Sequence, residues 1–182
     1  SVRGFGDDLL KLSHYRRARW GVRRTFQTEQ AIEGLTVYDN VAMQHSPLHG
    51  AARRADVLAA IEFVGGGLTP DARVGTLGAG QRRLVEVARA AAGRPRLILL
   101  DEPAAGLPDE ETAHLAGVIR AIPSQTEALT ILVDHDMSLV SAVCETTAVL
   151  DFGKLIASGP TAAVLRDENV MRAYLGTAEV AL

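Results

Sequence analysis

Between Leu77 and Glu102 the chain carries two groups of residues that could handle phosphate. Leu77-Gly78-Ala79-Gly80-Gln81 is a glycine-rich turn leading into a helical pattern. Such a turn presents backbone N–H groups and the positive helix end to anions. Further on, Leu97-Ile98-Leu99-Leu100 runs into Asp101-Glu102-Pro103. Two adjacent carboxylates at the end of a buried strand can hold Mg²⁺ and activate a water beside a phosphate chain. Taken singly, the first could be an ordinary helix start and the second a strand followed by a turn.

The neighbouring sequence supplies elements to position both groups. Leu84, Val87, Ala88 and Ala91 stand at i, i+3, i+4 and i+7, which predicts an amphipathic helix ended by Gly93 and Pro95. Leu97–Leu100 is continuously apolar, the pattern of a parallel strand covered on both faces. Upstream, residues 21–27 predict a short strand, and Leu9, Leu10, Leu12 and Tyr15 an apolar face on a preceding helical segment. Thr36 is placed to cap a helix with Asp39 three residues later, and Pro47 and Gly50 are expected to interrupt it. A second helix is expected over about 51–64, stopped by Gly65-Gly66-Gly67. Downstream, Asp109 is expected to cap a helix reaching about Ala121, short of Pro123. A strand over 128–133, Asp134-His135-Asp136, a helix over 137–144, a hairpin about Phe152-Gly153 and two short helices complete the pattern. Strands alternating with helices predict α/β layers with a mainly parallel sheet. Residues 28–76 lack a strand pattern and read as an inserted helical subdomain.

The 182 residues are 47 % apolar and 23 % charged with net charge −3, an ordinary globular balance that excludes collagen-like or disordered classes. The acidic balance argues against binding nucleic acid through overall charge. Arg16, Arg17, Arg19, Arg23 and Arg24 read as a solvated face, since Trp20 is accompanied by no aromatic platform for bases. The single cysteine, Cys144, excludes an internal disulfide and is expected in the core. His45 and His49 have the spacing of helical metal ligands, but Pro47 between them is expected to break that helix. No apolar run approaches the roughly 20 residues that cross a bilayer, and no signal-peptide pattern is present. Any work at a membrane is therefore expected to go through a partner.

Gln27, Leu77–Gln81, Asp101-Glu102 and His135, in that order, make the chain resemble the ATP-binding subunits of ABC transporters. The resemblance implies a P-loop NTPase-like core, with residues 1–27 a core segment ending in the glutamine joint. It makes 28–92 the helical subdomain and 93–182 the remaining core. It implies that Gln27 senses Mg²⁺ and the attacking water, and that Asp101 holds Mg²⁺, partly through water. Glu102 is implied as the catalytic base and His135 as the switch histidine bridging it to the γ-phosphate. Leu77, Gly78, Ala79, Gly80 and Gln81 would close over ATP held by a second ATP-binding subunit, identical or different. Membrane permease subunits and an extracytoplasmic substrate-binding protein are the implied further partners, with no nucleic acid. The implied location is the cytoplasmic face of the inner membrane, peripherally bound. Arg24-Thr25-Phe26-Gln27, residues 101–107, Asp134-His135-Asp136-Met137 and Ala173-Tyr174-Leu175-Gly176 resemble one branch, the importers of branched-chain and other hydrophobic amino acids.

Three departures stand out. Gly78 and Ala79 occupy positions where the family's signature usually has Ser and Gly, so a hydroxyl contact to phosphate is lost. Pro108 replaces the acidic or amide residue expected after Leu107, with Asp109 one place later. A loop of the form G-x-x-x-x-G-K-[ST] is absent: the two lysines, Lys11 and Lys154, are each followed by leucine. The chain, which begins at Ser1, is therefore expected to be the C-terminal part of such a subunit and inactive alone. DNA-repair and chromosome-associated ATPases share the carboxylates and signature, but they insert long coiled coils where this chain has 49 residues without sustained heptads. A non-catalytic remnant is the third expectation, motivated by the missing loop.

Overall fold

The computed structural model describes residues 1–49 and 54–178, the side chains at 44–49 and 175–178 excepted. Two compact units result, Ser1–Val133 and Asp134–Leu182.

In the first unit, β1 (Arg3–Gly4) and β2 (Asp7–Asp8) form a minimal antiparallel hairpin. Helix α1 (His14–Trp20) starts at the Ser13 cap and ends at Gly21. Gly21 has φ +115°, and a Cβ there would meet the Arg96 backbone nitrogen at 3.0 Å. The close approach lets the Gly21 carbonyl accept from the Arg96 and Leu97 amides. Strand β3 (Val22–Arg24) is followed by helices α2 (Val37–His49), α3 (Arg54–Val64) and α4 (Ala79–Ala91). Strand β4 (Leu97–Asp101), helix α5 (Asp109–Thr126) and strand β5 (Leu129–Val133) complete the unit. The sheet is parallel, in the order β3-β4-β5, with Arg24 opposite Leu99 and Asp101 opposite Val133. No strand lies in the described part of 28–92.

Burial explains most of these choices. Ile98 and Leu100 of β4 are fully buried, as are Leu115, Ile119 and Ile122 of α5. Each such side chain contributes about 1.5–3 kcal/mol. Thr36 caps α2 as its spacing predicts: its hydroxyl accepts from the Asp39 amide at 3.0 Å and donates to the Asp39 carboxylate. Strand β5 is an edge strand, and Leu129, Ile131 and Val133 are exposed along it.

Several expectations are corrected. Pro47 lies inside α2 and does not end it; the side chains of His45 and His49 fall outside the described residues. Asp109 is the first residue of α5, whose N-cap is Pro108. Pro123 lies within α5, which continues to Thr126 because Ile122 is locked in the core and the Glu127 amide still bonds the Pro123 carbonyl. Leu10 and Tyr15 are exposed, and only Leu9 of the expected apolar face is buried.

Arg23 overturns the expectation of a wholly solvated arginine face, being 2 % exposed on β3. Its Nη1 donates to the Ala18 and Val22 carbonyls, while Nε and Nη2 have no partner among the described residues. Burial pulls this guanidinium down to about 10, below its ordinary value. A base with a depressed folded pKa penalises the fold at every pH below that value, and the penalty fades only as pH rises from about 10 toward the ordinary arginine value. Arg23→Met is therefore expected to raise stability at pH 7 by about 1–2 kcal/mol in urea unfolding. A loss of stability instead would mean that the cation has a compensating partner.

In the second unit, helix α6 (Met137–Val143) precedes the antiparallel pair β6 (Thr146–Asp151) and β7 (Lys154–Pro160), which are followed by α7 (Thr161–Val164) and α8 (Glu168–Ala178). Among the described residues, Leu139, Val140, Val164 and Val170 are its buried apolar side chains. Cys144, expected in the core, is only half-buried at the end of α6. Among the described residues no helix is long and apolar enough to cross a membrane.

Candidate active site

The C-terminal edge of a parallel sheet is where open α/β folds gather their reactive side chains. Here the paired register of β3 and β4 brings the next residues of both strands to that edge. The Thr25 amide donates to the Leu99 carbonyl, and the Asp101 amide donates to the Thr25 hydroxyl. The Glu102 amide donates to the Val133 carbonyl of β5, so the acidic pair is anchored from both neighbouring strands. Glu102 has φ +43°, a left-handed conformation that costs a non-glycine residue about 1–2 kcal/mol and clusters at functional turns.

Gln27 and Glu102 meet. The Gln27 Nε2 donates to Glu102 Oε2 at 2.8 Å across 75 residues of sequence. Asp101 is engaged by Arg24, whose Nη2 stands 3.0 Å from Oδ2. Both partners of that ion pair are partly exposed, at 51 % and 34 %, so it contributes only about 0–1 kcal/mol and can be exchanged for another cation. Mg²⁺ is usually held by one or two carboxylates together with waters and substrate phosphates. Asp101 and Gln27 have side-chain oxygens of that kind at one sheet edge. No cluster of three or more His, Cys, Asp or Glu able to hold a metal occurs among the described residues. The donor set fits a cation shared with a phosphate ligand rather than one enclosed by protein.

Leu77–Gln81 opens α4. Gly78 and Ala79 are exposed at its N-terminus, and the Gly78 amide donates to the Gln81 side chain. Gln81 also donates to the Gly66 carbonyl at 3.1 Å, which ties the turn to the end of α3. At Gly80 a Cβ would fall 2.4 Å from a Glu111 carboxylate oxygen, so α4 and α5 approach closely there.

His135 belongs to the second unit. The Asp136 amide donates to Asp134, and Asp136 caps α6 by accepting from the Ser138 and Leu139 amides. These two carboxylates shape a turn that leaves the His135 side chain 76 % exposed, with Nδ1 at 3.8 Å from Asp134 Oδ1. The Tyr174 hydroxyl donates to the His135 carbonyl, tying α8 to the turn.

The sequence gives no contact with the acidic pair to Arg24 or Thr25, and no role to a charged stripe on α4. Arg82 pairs with Glu29 at 2.7 Å, Arg83 with Glu86 at 3.3 Å, and Arg89 donates to the Gln30 carbonyl. The available signal was their spacing: charged residues at 82, 83, 86 and 89 recur on the face of a helix whose other positions are mostly apolar.

Residues 2–105 match the ABC transporter family, and residues 154–180 match the family described as branched-chain amino acid ATP-binding cassette transporter. The chain is similar to the methionine import ATP-binding protein MetN 3 of Pseudomonas fluorescens, 36 % identical over 164 residues, covering 88 % of this chain and 50 % of that protein. It is also similar to the high-affinity branched-chain amino acid transport ATP-binding protein BraF of Pseudomonas aeruginosa, 32 % identical over 195 residues, covering 97 % and 76 %. The chain thus spans about half the length of MetN 3 and three-quarters of BraF. Its fold is similar to the crystal structure of a nucleotide-free ATP-binding cassette from an ABC transporter, with a TM-score of 0.74 at 23 % identity over 93 % of this chain and 74 % of that one. The mixed α/β architecture with its parallel sheet is that of such cassettes. A family match running through more than half of the chain, and a relative matched over most of both lengths, make this chain a member of the ABC transporter ATP-binding family.

Proposed function

We propose that the complete protein hydrolyses ATP to power an importer of branched-chain or other hydrophobic amino acids. The observation that carries the ATPase part is the Gln27–Glu102 hydrogen bond beside Asp101 at the sheet edge. In this proposal the phosphate loop, absent from these 182 residues, comes from the rest of the complete protein, and two ATP-binding subunits face one another. Residues 28–92 act as the helical subdomain and carry the signature turn into the partner's site. Permease subunits hold the pair at the cytoplasmic face of the inner membrane, and an extracytoplasmic binding protein delivers the amino acid.

When bound, Mg²⁺ supplies charge neutralisation on the phosphates. Asp101 would hold it in place of Arg24. Glu102 takes the proton of the attacking water, and a positioned base of this kind contributes about 10²–10⁴-fold. Gln27 orients that base by donating to one carboxylate oxygen. His135, exposed on its turn, is the donor for developing γ-phosphate charge. Ala79 and Gly80 offer backbone N–H groups at the start of α4 to the partner's nucleotide, Gly78 joins them when its amide leaves the Gln81 side chain, and Leu77 and Gln81 flank them.

The branched-chain assignment is supported by the match of residues 154–180 and by BraF; methionine is the second reading, supported by MetN 3. Reconstituted with its permease subunits in proteoliposomes, the complete protein is expected to drive ATP-dependent uptake of labelled leucine. Uptake of methionine without leucine would select the second reading, and uptake of neither would remove both.

A further inference from the structure

We propose that Arg83 and Glu86 are positioning residues for Gln27: a buried clamp by which α4, whose first turn is the signature, sets the placement of Gln27 against Glu102. This inference rests on the role given to Gln27 above.

The segment between β3 and α2 has neither helix nor strand over 25–35, so its backbone polar groups need other partners. Helix α4 supplies them for Phe26, Gln27 and Gln30. Arg83 is 8 % exposed, and its Nη1 and Nη2 donate to the carbonyls of Phe26 at 3.3 Å and Gln27 at 2.9 Å. Glu86 is 5 % exposed, accepts from the Gln30 amide through Oε1 and meets Arg83 Nη1 through Oε2. Arg89 adds its hydrogen bond to the Gln30 carbonyl at 2.7 Å. Gln27 is therefore fixed at both ends, its carbonyl by Arg83 and its side-chain amide by Glu102.

Stability does not explain the clamp. A buried ion pair is commonly matched or bettered by apolar residues of similar volume. Desolvation raises the Glu86 carboxyl above its ordinary value, against the opposing pulls of the Gln30 amide, Arg83 and Arg89, which marks the site as costly to charge. The clamp instead joins two functional elements through one rigid helix. Gly78–Gln81 starts α4, and Arg83 and Glu86 lie within its next turn. A tilt of α4 as the signature meets a partner's nucleotide would carry the Gln27 backbone with it. Glu102, anchored separately through β5, would stay in place.

Hydrogen exchange and kinetics test this together. In Glu86→Leu, the Gln30 amide is expected to exchange about 10–100-fold faster while the amides of buried Val85–Ala88 keep their protection. Glu86→Gln, which retains an acceptor, is expected to keep the loop protected. In the complete protein, Glu86→Leu and Arg83→Met are expected to lower kcat by about 10–100-fold with KM changed less than about 2-fold. In a Gln27→Ala background they are expected to add no further loss, since the residue they position is gone. Unchanged exchange over 26–31 in Glu86→Leu, or losses that multiply with Gln27→Ala, would overturn the clamp. Arg83→Lys covers the case in which the larger changes unfold the protein: it keeps the charge but not the two-carbonyl fork, so loop exchange must still rise. The exchange arm needs no ATPase activity, so a failure of the proposed function and a failure of the clamp are separable.

Discussion

Glu102→Gln in the complete protein is expected to lower ATP turnover by about 10²–10⁴-fold while ATP still binds. The substitution is isosteric, and the new amide oxygen can still accept from Gln27 Nε2, which donates to Glu102 Oε2 at 2.8 Å. The backbone keeps its bond to the Val133 carbonyl and Asp101 keeps Arg24. What is removed is the capacity to take a proton from water. Binding and chemistry should therefore separate, with an ATP-bound dimer accumulating on size-exclusion chromatography and single-turnover hydrolysis slowed by the same factor. Hydrolysis at the unmodified rate would remove Glu102 as the base and turn attention to His135.

The second large effect concerns the 182-residue chain itself. Titrated with Mg²⁺ and ATP in a calorimeter, it is expected to bind more weakly than about 1 mM, a free energy of about −4 kcal/mol. Phosphate affinity in this class depends on a glycine-rich loop whose lysine reaches the β- and γ-phosphates. Lys11 ends a short 3₁₀ turn and Lys154 opens β7, so neither lysine follows a glycine turn into a helix. Asp101 and Glu102 bring negative charge to the sheet edge and repel an uncomplexed nucleotide. Saturable binding at micromolar concentrations would show that the chain holds ATP by other residues.

The candidate carboxylates were legible in the sequence because the apolar run Leu97–Leu100 leads into Asp101-Glu102 in register with Gln27 and His135. Their hydrogen bonds were not. The partners Gln27 and Arg24 lie about 75 residues away, and only the strand order, with β4 between β3 and β5, brings them to one edge. Apolar spacing located α4 but described it as two-faced. The structure surrounds it with α2, α3, α5 and β3, so Arg83 and Glu86 are buried beside Val85 and Val87. A charged residue on the nominal outer face of a helix looks solvated until the element that covers it is known. Pro123 misled for the complementary reason. One missing amide is a small loss beside the burial of Ile119 and Ile122, and the helix therefore runs on.

The distance in sequence between Gln27 and Glu102 also sets a timetable. Helices α2, α3 and α4 are stabilised by contacts close along the chain and can form while later residues are still being synthesised. The acidic pair cannot join Gln27 until β4 has docked on β3, and the Glu102 amide has no strand partner until Val133 of β5 arrives. At about 5–20 residues per second of synthesis, about 5–20 seconds separate the emergence of Gln27 from that of Val133. Until then the nascent chain has Gln27 but not the strand contacts that bring Glu102 to it.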